Sequence, residues 1–243
     1  MQRRKFALGM NAVAFGSLLV NAGFVPVRAA GNAGPRKIAG IPMVDTTSAK
    51  AATALAQSAS APYLYNHAVR TYLFGALIGR AAKLKIDEEL LYLACVLHDL
   101  GLTQQFMGAR PFEIEGAIAA EKFLRQQGLS AAKAAVVWDG IAMHPLAISQ
   151  YKQPEIALVG AGAGADVVGA GLEDVTAADR DAVLRAFPRL GFKAAFVATC
   201  ADVVKQHPAA AARTFMRDIG ERKVPGFNPA NICDAIERAP FSE

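Results

Sequence analysis

Residues 90–101 read LLYLACVLHDLG. From Leu90 to Leu97 every side chain is apolar or aromatic, which suits a helix buried on most sides. His98 and Asp99 then arrive together, and Gly101 follows two residues later. Burying an imidazole and a carboxylate at the end of such a helix is costly unless they are paired or bound to a cation. The stretch therefore predicts the centre of a metal site. Neighbours on a helix are about 100° apart, so both side chains reach one ion most easily near a helix end, and Gly101 marks that end.

The rest of the chain sets the context. Its 243 residues suffice for one sizeable domain, and 53% hydrophobic against 19% charged residues specifies a packed core and excludes disorder. Ala and Leu recur, β-branched runs are short, and Gly or Pro punctuates at intervals, which predicts an all-α fold. The net charge of +5 suggests a nucleic-acid partner only until it is located. Arg3, Arg4, Lys5 and Arg28 lie in the first 29 residues, and without them 22 basic residues face 21 acidic ones. No general attraction to polyanions follows.

Residues 1–29 read as an export signal: a basic start, a mostly apolar uncharged run from Phe6 to Val27, and small residues at Val27-Arg28-Ala29. Gly9, Asn11, Gly16, Ser17, Asn21 and Gly23 dilute the run below a good membrane-spanning helix, so no stable anchor is expected after cleavage. Arg3-Arg4-Lys5-Phe6 also resembles the twin-arginine type of signal. A periplasmic or secreted location follows. Residues 30–60 read as a flexible lead-in with a short Ala-rich helix at 49–58, capped by Ser48.

The domain proper is expected over 61–243. Pro62 opens a helix with apolar positions at Leu64, Ala68, Tyr72, Leu73 and Leu77, and His67 lies on this inward stripe. A turn at Lys83–Asp87 leads into the 90–97 helix, antiparallel to the first. Phe112 to Gln127 is a further helix, with Glu113 either favouring its dipole or facing the metal. Ser130 caps the helix that ends at His144-Pro145. In 153–171, glycines at 160, 162 and 164 fit neither dinucleotide nor phosphate-loop patterns, and small residues at this density predict a tightly packed helix. Asp166 is then a lone acid in an apolar helix that needs a partner. Helices follow at 177–187, 192–207, 209–220 and 229–238. There is no Cys-x-x-Cys; Cys95 reads as packing, and Cys200 could bridge Cys233 in an exported protein.

The candidate ligands are thus His67, His98, Asp99 and Asp166, with His144 nearby. Two imidazoles and two carboxylates make a mixed N/O set that suits a divalent metal, Zn first, with Fe, Mn or Ni as alternatives. Such a site leaves room for water whose pKa the metal lowers.

A His, a His-Asp pair and a distant Asp, in that order in a helical chain, resemble the HD-domain superfamily of metal-dependent hydrolases. The residues that carry this are Asn66–Arg70, Leu97–Gly101, Arg110–Ala117, Ala142–His144, Pro154–Val159 and Asp166–Gly169, and the closer likeness is to cyanamide hydratase-like HD proteins. The resemblance implies a helical bundle around a metal held by His67, His98, Asp99 and Asp166. It places His144 and Glu113 at the pocket as catalytic proton-transfer groups or extra ligands. Arg70 and Phe112 are the expected substrate contacts, Arg70 as a holder of an anionic group. Two branches of the superfamily fit poorly: no acidic pair follows His98-Asp99, and there is neither Gly-Tyr-Pro nor a Lys at position 102. The expected activity is hydrolysis or hydration of a small molecule, nitrile-like carbon ahead of phosphoester. A non-catalytic exported binding protein is the remaining alternative.

Overall fold

The computed structural model describes residues 36–241; the expected export signal lies outside the described residues. Among them the chain forms eleven α-helices and a single β-hairpin, an all-α fold.

The hairpin pairs β1 (Lys37–Ile38) with β2 (Ile41–Pro42) through a turn in which Ala39 and Gly40 both have positive φ. It leads into α1 (Thr47–Ala59), capped by Thr46, whose hydroxyl accepts from the Ala49 amide at 3.1 Å. The cap is two residues earlier than Ser48. The expected lead-in at 36–60 instead folds onto the bundle. Ile38, Ile41, Ala49, Ala52 and Ala56 are buried, Tyr72 donates to the Pro42 carbonyl at 2.8 Å, and the Thr53 and Tyr92 hydroxyls bond at 2.7 Å. Composition misleads here because small Ala side chains can be core as readily as linker.

Helix α2 (Pro62–Ala81) starts on Pro62, and α3 (Glu88–Leu97) starts on Asp87, whose carboxylate accepts from the Leu90 amide at 3.1 Å. Helix α3 is buried along its whole length from Leu90 and touches α1, α2, α5 (Ala131–Met143) and α6 (Pro154–Val168). Helix α4 (Phe112–Gln126) packs beside α5, and Ser130 caps α5.

Two backbone-to-backbone approaches fix the arrangement. Where α2 crosses α6, a Cβ on Gly75 would stand 2.6 Å from the Leu158 carbonyl oxygen, and one on Gly162 would collide with the Thr71 carbonyl and stand 2.9 Å from the Gly75 nitrogen. Gly162 of α6 is therefore a packing residue, as is Gly160, whose Cβ would stand 2.7 Å from the His144 carbonyl oxygen, whereas Gly164 is not closely approached. Gly101 does not have a positive φ. A Cβ there would collide with the Phe112 carbonyl, so the glycine lets the start of α4 come against the end of α3.

Beyond α6, closed by Gly169 in the left-handed region, come α7 (Ala177–Ala186) and α8 (Phe192–Gln206). The expected helix at 209–220 is divided into α9 (Pro208–Ala211) and α10 (Met216–Lys223), because the Thr214 hydroxyl accepts from the Met216 amide at 3.2 Å and offers the backbone a local alternative. Helix α11 (Ile232–Glu237) starts after Asn231, whose side chain accepts from the Cys233 amide at 2.9 Å. Cys200 is buried and Cys233 exposed, and both are free thiols, so the bridge that an exported protein could form between them is not present. No helix of the described residues is long and apolar enough to cross a membrane.

Candidate metal centre

His67 lies in the second turn of α2, and His98 caps the C-terminus of α3 in helical conformation. Asp99 then departs to φ −101°, ψ 13°, opening a short 3-10 turn at Leu100–Leu102. The relaxed helix end lets two neighbouring side chains face the same point. The Nε2 atoms of His67 and His98 stand 3.5 and 3.3 Å from Oδ2 of Asp99, and the three side chains are almost completely buried.

Hydrogen bonding at the far side of each ring fixes what these atoms present. His98 Nδ1 donates to the Cys95 carbonyl at 2.7 Å, and His67 Nδ1 donates to Oδ2 of Asp166 at 2.7 Å. Each Nε2 is thereby left with its lone pair toward Asp99. Asp99 Oδ2 has no hydrogen-bond partner although buried. Three lone pairs converging among buried side chains repel one another unless a cation lies between them. The residues present thus fit a divalent metal, and His67, His98 and Asp99 offer ligand atoms all within 4.8 Å of one another.

Asp166, expected as the fourth ligand, is not brought to this cluster. Its carboxylate is taken up from behind. Arg70 donates through Nε to Oδ1 at 2.8 Å and through Nη2 to Oδ2 at 2.7 Å, and Arg189 Nη1 donates to Oδ1 at 2.8 Å. Asp166 therefore orients His67 and stands outside the His67–His98–Asp99 cluster. Arg70, expected to hold substrate, is fully buried in this pair and does not line the pocket. A fixed fork meeting a carboxylate in two places is the reason.

His144 caps α5 with its Nδ1 donating to the Ile141 carbonyl at 2.7 Å, so its Nε2 lone pair is also free. Its ring lies 4.8 Å from that of His98, edge to face, and it lines the chamber with Phe112. Glu113 is 4% exposed with Oε2 unpartnered, yet it does not line the chamber. It lies in the first turn of α4 with its carboxylate against its own backbone amide, the helix-start role expected of it, and is not a pocket carboxylate.

Electrostatics follow from burial. Desolvation and then the neighbouring His67 push the pKa of His98 down to about 3, and desolvation and then His98 do the same for His144, to about 3. Both are neutral imidazoles at ordinary pH, as ligation requires. Burial raises the pKa of Asp99, with His67 and His144 opposing, and burial and Asp99 raise that of Glu113. Burial would raise Asp166 as well, but the bonds from His67 and Arg70 outweigh it and hold the carboxyl at about 2.

Sequence reasoning missed the contributions of the C-terminal third. Phe192 and Phe196 lie 4.8 and 5.7 Å from the His67 ring, Arg189 sits over the Phe192 ring at 4.7 Å, and Phe215 meets Phe112 edge to face at 5.8 Å. No periodicity marks these residues as site residues. The only signal is that aromatic positions open α8 and precede α10.

Among curated proteins none matches the chain. The family model described as "HD domain" matches residues 64–183, a span that holds His67, His98, Asp99, His144 and Asp166. The order of the candidate ligands and the helical bundle agree with that match, so residues 64–183 resemble an HD domain, a family generally of metal-dependent hydrolases.

Proposed function

We propose that this protein is an exported hydrolase or hydratase that acts on an electrophilic carbon of a small molecule. In this reading His67 and His98, through Nε2, and Asp99, through its carboxylate, hold one divalent ion, Zn first. The observation that carries it is the convergence of two Nε2 lone pairs on an unpartnered Asp99 oxygen at the floor of an open chamber. A bound divalent ion supplies Lewis-acid polarisation of the substrate and a water of lowered pKa.

The chain's own residues do the rest. Asp166 fixes the tautomer of His67, and Arg70 and Arg189 fix Asp166. His144 presents an Nε2 acceptor into the chamber, where it orients a water or the substrate by a hydrogen bond. Its low basicity suits that task better than storage of a proton at neutral pH. Hydration of a nitrile-like carbon, as in the cyanamide hydratases the sequence resembles, is the version we favour.

The HD match favours a second reading, phosphoester hydrolysis. Elemental analysis of the purified protein, coupled to turnover of nitriles, esters and phosphoesters with Asp99→Ala as control, separates them. One tightly held ion and Asp99-dependent turnover of carbon electrophiles supports our reading. Turnover of phosphoesters alone supports the second. Bound metal without any turnover leaves a binding protein. Export is tested by cell fractionation and N-terminal sequencing of the mature protein.

A further inference from the structure

The chamber above His67, His98 and Asp99 encloses about 570 Å³, within the range that holds drug-sized ligands. Its aromatic walls are Phe112, Phe196 and Phe215, with Leu146, Val167 and Val168 beside them. Phe196 and Phe215 come from outside the segment that matches the HD domain. None of the described residues lining it is Lys or Arg. Several arginines of the surrounding elements are committed elsewhere, Arg70 and Arg189 to Asp166, Arg110 to Glu115 and Arg217 to Glu221.

We propose that the substrate is an uncharged molecule with an apolar body, seated among these aromatic and aliphatic walls, and a single carbon electrophile of the nitrile, amide or ester class at its head. This rests on the reading of the site as a metal-dependent hydrolase or hydratase. A phosphoester would bring its charge among apolar walls with no Lys or Arg on the lining to share it, so a bound metal would have to offset that charge alone. A substrate as small as cyanamide would leave most of the chamber to water in contact with apolar walls. In the reaction the water oxygen bonds to the electrophilic carbon. With an ester or amide the C–O or C–N bond breaks and the proton goes to the leaving alcohol or amine. With a nitrile, water adds across the triple bond and nothing leaves.

Gly164 supplies a lever on this chamber. It lines the wall from α6, and a Cβ there would meet only the Ala170 Cβ, at 3.7 Å. A larger side chain at 164 therefore narrows the chamber without moving a ligand-bearing backbone. Gly160 offers no such lever, because a Cβ there would stand 2.7 Å from the His144 carbonyl oxygen.

The test is calorimetric binding of acetamide, butanamide, hexanamide, octanamide and phenyl phosphate to the full chain, metal-free and zinc-loaded. Affinity is expected to rise about fourfold per added methylene until the chamber is full. Phenyl phosphate should bind at least tenfold more weakly than octanamide to the metal-free protein, where the chamber walls alone decide. Gly164→Leu should weaken octanamide at least tenfold and leave acetamide within twofold. Phe215→Lys, at a half-buried site, gives an independent check: it should weaken octanamide and strengthen phenyl phosphate. A flat amide series, phenyl phosphate bound to the metal-free protein as tightly as octanamide, or variants that alter all amides alike would overturn the proposal. Zinc-dependent turnover of p-nitrophenyl octanoate is measured beside these. Its absence with the amide series intact would count against the hydrolase reading and not against the apolar body.

Discussion

His67 donates through Nδ1 to Oδ2 of Asp166 at 2.7 Å, while its Nε2 stands 3.5 Å from Oδ2 of Asp99. One ring thus separates a carboxylate that is fully satisfied from one that is not. Asp166 shapes the site without touching its centre, and the two acids respond to substitution in opposite ways.

Asp166→Ala leaves Arg70, fully buried, without its partner. Breaking a buried pair by removing one member costs roughly 3–5 kcal/mol, so the urea midpoint should fall steeply. Asp166→Asn keeps the shape and should still bind metal, with affinity lowered about 10–100-fold, as expected of a residue that orients a ligand. Complete loss of metal from Asp166→Asn, with the fold intact by circular dichroism, would restore Asp166 as a direct ligand.

Asp99→Asn should abolish metal binding and yet stabilise the metal-free protein. It removes an unpartnered buried carboxylate oxygen, a group worth about 1–3 kcal/mol of destabilisation, and its amide can donate to a neighbouring Nε2. Thermal melts of wild type and variant in chelator check the sign. A metal-free variant less stable than metal-free wild type would mean that Asp99 has a partner in solution.

Chelation should lower the melting temperature of the native protein. At a free metal concentration about 1,000 times Kd, binding contributes about 4 kcal/mol, equivalent to roughly 8–16 °C for a domain of this size. His98→Ala should melt at the same temperature with and without chelator.

The metal-free protein should lose stability as pH falls from about 6.5 toward 3. Unfolded histidines take up protons near 6.5, whereas folded His98 and His144 resist until about 3. The unfolded state holds more protons in that window, so each contributes a loss of up to about 1.4 kcal/mol per pH unit. Asp99, with its raised pKa, opposes part of this loss in the carboxylate range. Asp166, at about 2 when folded, adds stability that disappears only below its unfolded value of 3.8. Urea midpoints from pH 7 to pH 4 measure the slope, and a flat profile between 6.5 and 5 would exclude neutral buried imidazoles.

What was legible in the sequence was whatever local chemistry announces. Pro62, Ser130 and the Pro after His144 mark helix ends that the structure reproduces within a residue or two. His67, His98 and Asp99 stood out because polar groups in apolar helices need a reason. The partner of Asp166 was not legible. Arg70 lies one turn beyond His67 on the same helix, and nothing in that spacing says which of several acids it meets across 96 residues. The role of α1 was hidden for a related reason, since Ala carries no pattern that separates core from linker. The wall made by Phe196 and Phe215 depends on how the last third of the chain folds back, which is a tertiary fact with no periodic trace.

The close crossing of α2 and α6 at Gly75 and Gly162 bears on how such a protein would change under selection. The spacing of His67 from Asp166 is set by main chain against main chain, so repacking of surrounding side chains leaves it untouched. The part-exposed rim at Leu146 and Phe215 has no such constraint. In a randomised library selected for a new substrate, winning variants should accumulate on that rim and spare the seam, leaving the same hearth behind different walls.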